Sequence, residues 1–158
     1  MLNVKLKKFK SLHQKNKNQL LYVRIKTNGK KEIENLINNF LIEKNSFVFE
    51  SVEKGTIKGR YTIFGKNPDK IWEFNNNNSY IYTGKKKKKI AGLPINNLEK
   101  ILENFKFNIP KGLPPVCSII SGYFSYDIIR YVEKIPNTCK DDLNIPDTRI
   151  LRPRNIII

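Results

Sequence analysis

Apolar residues change their spacing along this chain, and each change marks an element. Over residues 30–43, Ile33, Leu36, Ile37, Phe40 and Leu41 recur at helical spacing, while Lys30, Lys31, Glu34, Asn38 and Asn39 fall elsewhere. That pattern predicts an amphipathic helix with one buried stripe. Just before it, residues 20–27 (LLYVRIKT) alternate Tyr22 and Arg24 with Val23 and Ile25, which reads as a strand ended by Asn28 and Gly29. After the helix the apolar residues come in short runs: Phe47, Val48 and Phe49 lead into Glu50 and Ser51, and Tyr61, Thr62, Ile63 and Phe64 are closed by Gly65. These read as two strands, and the charged stretch between them, with Gly55 and Gly59, suits a long hairpin loop. An antiparallel pair is expected.

Beyond Gly65, Asn67, Pro68 and Asp69 predict a turn, and residues 70–74 a short strand that adds Ile71, Trp72 and Phe74 to the core. The asparagine run 75–78 reads as a loop, residues 80–83 as a further strand turned by Gly84, and the lysines at 85–89 as a solvated edge or loop tip that blunts edge pairing. Asn96 and Glu99 suit the start of a helix through Leu98, Ile101, Leu102 and Phe105, limited by Pro110. Pro114 and Pro115 introduce a predicted strand over 116–120. Ser125 then caps a short helix with Asp127 in its first turn and Ile128, Ile129 and Val132 buried, and Pro136 stops it. Asp127, Arg130 and Glu133 are spaced for a surface ion-pair ladder, and Asp141, Asp142 and Asp147 read as loop residues. Ile156, Ile157 and Ile158 begin a strand-like run at which the sequence stops, as expected of a truncated chain. The fold class is α+β: an antiparallel sheet with helices packed on it.

Composition adjusts this picture only slightly. The chain has 158 residues, enough for one domain and too few for a large enzyme. Its formal charge of +16 invites a nucleic-acid reading. Lysine far outnumbers arginine, however, and neither arginine forks nor stacking aromatics cluster, so a small basic RNA-binding module stands only as an alternative. Cys117 and Cys139 form no C-x-x-C pair and His13 is the sole histidine, so neither a disulfide framework nor a zinc site is indicated and a reduced, cytoplasmic setting is expected. Lysines interrupt the N-terminal apolar residues, which leaves no signal sequence, and no stretch is long enough for a membrane span. Residues 1–18 are expected to be extended and poorly ordered, with His13 exposed.

The candidate chemistry sits at the end of the 47–49 run. Glu50 and Ser51 place a carboxylate and a hydroxyl at a strand end, and Arg60 opens the partner strand. A carboxylate and a guanidinium so placed can receive the ammonium and carboxylate of an amino acid beside an apolar cleft. The same two charges also fit a plain strand-end ion pair of little energetic weight.

The segment FVFESVEKGTIKGRYTIFGKNPDKIW resembles a signature of the anthranilate synthase component I family: an apolar run ending in Glu-Ser-Val-Glu, a charged loop, then Gly-Arg-Tyr and a Pro-Asp turn. The likeness is close at Glu50, Ser51, Val52, Glu53, Gly59, Arg60, Tyr61 and Gly65, with Thr62 and Phe49 as mild departures. LPPVCSIISGYFSYDIIRYVEKIP and DDLNIPDTRILRP resemble two later patches of the same family, in the same order. The resemblance implies the N-terminal part of a layered α/β/β/α fold whose C-terminal catalytic, chorismate-binding domain is absent, so that this chain alone would be inactive. It further implies tryptophan feedback, with Glu50, Ser51 and Arg60 binding L-tryptophan. The whole enzyme would use Mg2+, with ligands outside this chain, and a glutamine amidotransferase subunit (component II). The related aminodeoxychorismate synthase component I is the alternative within the family.

Overall fold

Two long strands that pair side by side carry the fold. The computed structural model describes residues 4–15, 18–27, 29–50, 61–105, 109–136 and 138–158. In chain order the elements are helix α1 (Leu6–Gln14), helix α2 (Lys30–Leu41), strands β1 (Phe47–Phe49), β2 (Ile63–Asn75), β3 (Asn78–Thr83) and β4 (Lys86–Ile90), and helix α3 (Pro94–Asn104). A 3-10 turn (Pro115–Cys117), strand β5 (Ser121–Phe124), a second 3-10 segment (Tyr126–Tyr131) and strand β6 (Thr148–Ile157) follow. The strands form one antiparallel sheet ordered β4-β3-β2-β6-β5, with β1 added to the far end of β2. The α+β expectation is met.

Alternation along the strands gives the sheet two faces. On one, Trp72, Phe74 and Ile150 pack with Ile101 of α3 to form the core, joined by Ile81, Ile90, Leu98, Ile120 and Tyr131. On the other, toward the start of β2, Phe64 meets Phe40 of α2 edge-on at 5.4 Å. Helix α2 matches its predicted stripe at Ile33, Leu36, Ile37 and Phe40, but Leu41 is exposed because the helix ends there and the chain turns toward β1.

The hairpins follow local chemistry. Asn76 and Asn77, at φ 46° and 63°, make a two-residue turn between β2 and β3 in the left-handed conformation that asparagine tolerates. The lysine run is the edge strand β4, exposed over Lys86–Lys89. Lysine on both faces of an edge discourages pairing with another chain.

Several expectations change. Residues 67–69 are not a turn between two strands but a bulge inside β2, where Pro68 faces Pro153 and the register shifts before Lys70. Proline fits there because a bulge needs no donor from it, and β6 runs alongside on both sides of the irregularity. Residues 18–27 carry no strand pairing, since alternation alone does not supply a ladder partner; Arg24 is instead tied by its Nη2 to the carbonyl of Gly112 at 2.8 Å. The strand predicted at 116–120 begins five residues later, as β5, because Pro115 initiates a 3-10 turn. Helix α3 starts at Pro94 with Leu93 as its cap, so Asn96 lies inside it; Leu102 faces solvent. Residues 6–14 are helical rather than extended, with Phe9 and His13 stacked one turn apart and His13 exposed.

The helix expected after Ser125 is the 3-10 segment, and Ser125 caps it without a side-chain bond; Val132 is exposed just past its end. Arg130 does pair with Asp127, at 2.7 Å, and its Nη1 also holds the carbonyls of Ile135 and Pro136. Asp147 is a loop residue with more to do than expected. Its carboxylate accepts the Tyr131 hydroxyl at 2.5 Å and the Asn76 amide at 3.0 Å, while its carbonyl accepts the Ser125 amide. Burial and that carboxylate together push the Tyr131 hydroxyl pKa well above the usual tyrosine range.

Gly122 lies against β6 so closely that a Cβ there would stand 2.0 Å from the Arg149 carbonyl oxygen. Backbone has little room to yield, so Gly122→Ala is expected to destabilise by about 1–3 kcal/mol, read as a lower urea midpoint.

The bulge presents Asp69 to Arg152, which donates Nε to Oδ1 at 2.7 Å and Nη2 to Oδ2. Burial alone would raise the Asp69 pKa, but the Arg152 hydrogen bonds and charge outweigh it and hold the carboxyl below its ordinary range. A depressed carboxyl pKa contributes stability above the unfolded value, about 4, and loses it as pH falls through the folded one. Asp69→Asn is therefore expected to cost about 1 kcal/mol at pH 7, the scale of a partly solvated pair. In urea unfolding at descending pH, the gap between variant and parent should close below about pH 4.

Candidate functional site

Glu50 follows the last residue of β1, so whatever fixes β1 fixes the backbone of Glu50. The approach from α2 is tightly held. Asn45 takes a left-handed conformation at φ 61°, and Ser46 Oγ donates to the Glu43 carbonyl at 2.7 Å. Lys66 Nζ bonds the Glu43 carboxylate at 2.6 Å while lying 4.8 Å over the Phe40 ring. One β2 residue thus ties the end of α2 to the sheet.

Strand β1 then pairs Phe47 with Gly65, Val48 with Phe64 and Phe49 with Ile63. A Cβ at Gly65 would stand 2.2 Å from Phe47 Cε1 and 2.3 Å from Cζ, so the phenyl ring occupies the space that a side chain would need. Glycine is required here for room. Phe47 also lies 4.9 Å from Phe49, and this aromatic pair leads directly to an exposed Glu50. Of the three residues singled out in the sequence, only Glu50 is placed; Ser51 and Arg60 lie within 51–60, outside the described residues. An exposed carboxylate at a well-held strand end can accept hydrogen bonds from an ammonium group.

A second polar cluster escaped sequence reasoning. In register across the sheet, Glu73 of β2 faces Arg149 of β6. Arg149 Nε donates to Glu73 Oε1 at 2.8 Å, the Tyr82 hydroxyl donates to Oε2 at 2.5 Å, and Arg149 Nη2 reaches Asn45 Oδ1 at 2.8 Å. Both oxygens of Glu73 are engaged, which makes the cluster a tie between the sheet and the α2–β1 connection rather than a free acid. The only trace in the sequence is a charge at an alternating position in each strand, IWEF and TRIL; nothing local says that these strands pair.

No family model matches the chain. Curated relatives do. The chain is 29% identical over 146 residues to anthranilate synthase component 1 of Cereibacter sphaeroides, covering 89% of this chain and 29% of that protein. It is 33% identical over 114 residues to the Acetivibrio thermocellus protein of the same name, covering 71% and 23%. It is 35% identical over 127 residues to the chloroplastic anthranilate synthase alpha subunit 1 of Oryza sativa subsp. indica, covering 73% and 22%. The chain belongs to the anthranilate synthase component I family.

This family member spans about a quarter of the length of the relatives it matches. Among its described residues no three His, Cys, Asp or Glu side chains are grouped so as to hold a metal ion. Among them, too, no helix is long and apolar enough to cross a membrane.

The Phe47–Gly65 contact gives a direct test of how Glu50 is held. Gly65→Ala must drive the ring off β2, and the expected cost is about 1–3 kcal/mol with faster amide exchange over Phe47–Phe49. Unchanged exchange there would mean that β1 does not depend on this contact.

Proposed function

We propose that this chain is the amino-acid-sensing part of an anthranilate synthase component I, in which Glu50 and Ser51 take part in binding the feedback inhibitor L-tryptophan. The observation that carries the reading is the placement of Glu50: an exposed carboxylate ending a strand that Phe47, Gly65 and the α2 connection hold in place. The carboxylate accepts the ammonium of tryptophan, the Ser51 hydroxyl adds one hydrogen bond, and Arg60 occupies the basic position of the motif. Family membership supports the rest of the assignment. The whole protein, with a glutamine amidotransferase subunit supplying ammonia, would convert chorismate to anthranilate and pyruvate in the cytoplasm. Its magnesium site and its acid and base groups are assigned to sequence outside this chain, so this chain alone is expected to lack turnover.

The test uses a full-length enzyme carrying this segment. Glu50→Ala removes a charged partner of the ammonium, worth on the order of 1.5–3 kcal/mol, and should raise the inhibitory tryptophan concentration roughly tenfold or more. Ser51→Ala should act in the same direction with a smaller effect, about 0.5–1.5 kcal/mol. Turnover without tryptophan should stay near the parent value in both. Retained tryptophan sensitivity in both variants would make the pair structural, and loss of uninhibited turnover alongside sensitivity would assign them to the fold.

A further inference from the structure

The second face of interest is the one covered by α3, and it is not fully covered. Lys70 and Arg152 are cross-strand partners one step beyond Trp72 and Ile150. Helix α3 packs Ile101 into the core with Trp72, and a cleft of about 370 Å³ opens beside it. Lys70, Trp72 and Arg152 line it from the sheet, and Lys100, Ile101 and Phe105 from the helix side. The volume lies at the lower end of small-ligand pockets, about 300–1,000 Å³.

Its charge is one-sided. Among the described residues three cations line the cleft and no carboxylate does, the nearest being Asp69, which pairs with Arg152. Arg152 is oriented by Asp69 through two parallel bonds, which leaves its remaining N–H groups without a described acceptor. Neither Lys70 nor Lys100 has a described carboxylate within ion-pair distance. The apolar part is Phe105 with the exposed margins of Trp72 and Ile101, whose remaining surface is buried in the core. Cations beside aromatic and aliphatic walls match a ligand with both characters.

We propose that this cleft between α3 and the sheet binds a small ring-bearing organic anion, its carboxylate or phosphate held by Lys70, Lys100 and Arg152 and its ring against Trp72 and Phe105. The site is separate from Glu50 and does not rest on the tryptophan reading. Trp72 is the sole tryptophan of the chain, so its emission reports on occupancy without a label. The experiment titrates the 158-residue chain with benzoate, phenyl phosphate, phenol and inorganic phosphate, following Trp72 fluorescence. The expected result is a saturable change with at least one of the two ring anions, stronger than with phenol or phosphate; which of the two binds tighter tells carboxylate from phosphate. Lys70→Ala with Lys100→Ala should weaken it at least tenfold with an unchanged far-UV circular dichroism spectrum. Lys100→Gln, on the exposed side of α3, serves where the double variant does not fold and should weaken it severalfold. An equal response to phenol, an equal response to inorganic phosphate, no saturable response at all, or indifference to the lysine changes would each overturn the proposal.

Discussion

Everything in this molecule hangs on the pairing of β2 with β6. These two strands run side by side from Phe64–Ile157 to Phe74–Thr148, and each then offers its other edge to further elements: β2 to β3 and β1, β6 to β5. The ladder survives a bulge because the residues at the irregularity suit it. Pro68 gives up no needed donor, and Asp69, displaced from the regular pleat, finds Arg152 on the opposite strand. Cross-strand ion pairs recur farther along, where Glu73 meets Arg149. The central ladder therefore sets both the hydrophobic face that receives α3 and the polar ties that reach the α2–β1 connection.

The same geometry explains why Glu50 is held so far from the core. Strand β1 is only three residues long and could not be stable by itself. It is anchored at Gly65 by an aromatic ring, at Phe64 by the α2 contact, and through Lys66 by the turn that precedes it. A short strand held at three points can present a charged residue to solvent without burying it.

Local periodicity made part of this legible. The α2 stripe apart from Leu41, the asparagine and glycine turns around β3, and the lysine edge all follow from patterns within a dozen residues, and they appear as expected. What was not legible depended on distant partners. Residues 20–27 have strand-like alternation but no ladder, and residues 67–69 have turn chemistry but lie within a strand because β6 passes beside them. At the candidate site the motif singled out Glu50, whereas Glu73 with Arg149 and Asp69 with Arg152 bring together residues 76 and 83 positions apart. No pattern within one strand contains that information. Residues 116–120 failed for a nearer reason, since Pro115 begins a 3-10 turn and delays the strand.

The separation between β2 and β6 also shapes how the protein comes into being. Strands β2, β3 and β4 are joined by tight turns and can pair as soon as they are made, but the inner edge of β2 has no partner until β6 is synthesised. Contacts so distant in sequence are slow to form, because the intervening chain must first be closed into a loop. During that interval Trp72 and Phe74 sit in a three-stranded meander whose exposed inner edge carries only Lys66 and Lys70 along thirteen residues, against four consecutive lysines on its outer one. The newborn chain is thus protected on the side that stays at the margin and vulnerable on the side that becomes the centre, which is where a chaperone would have most to do.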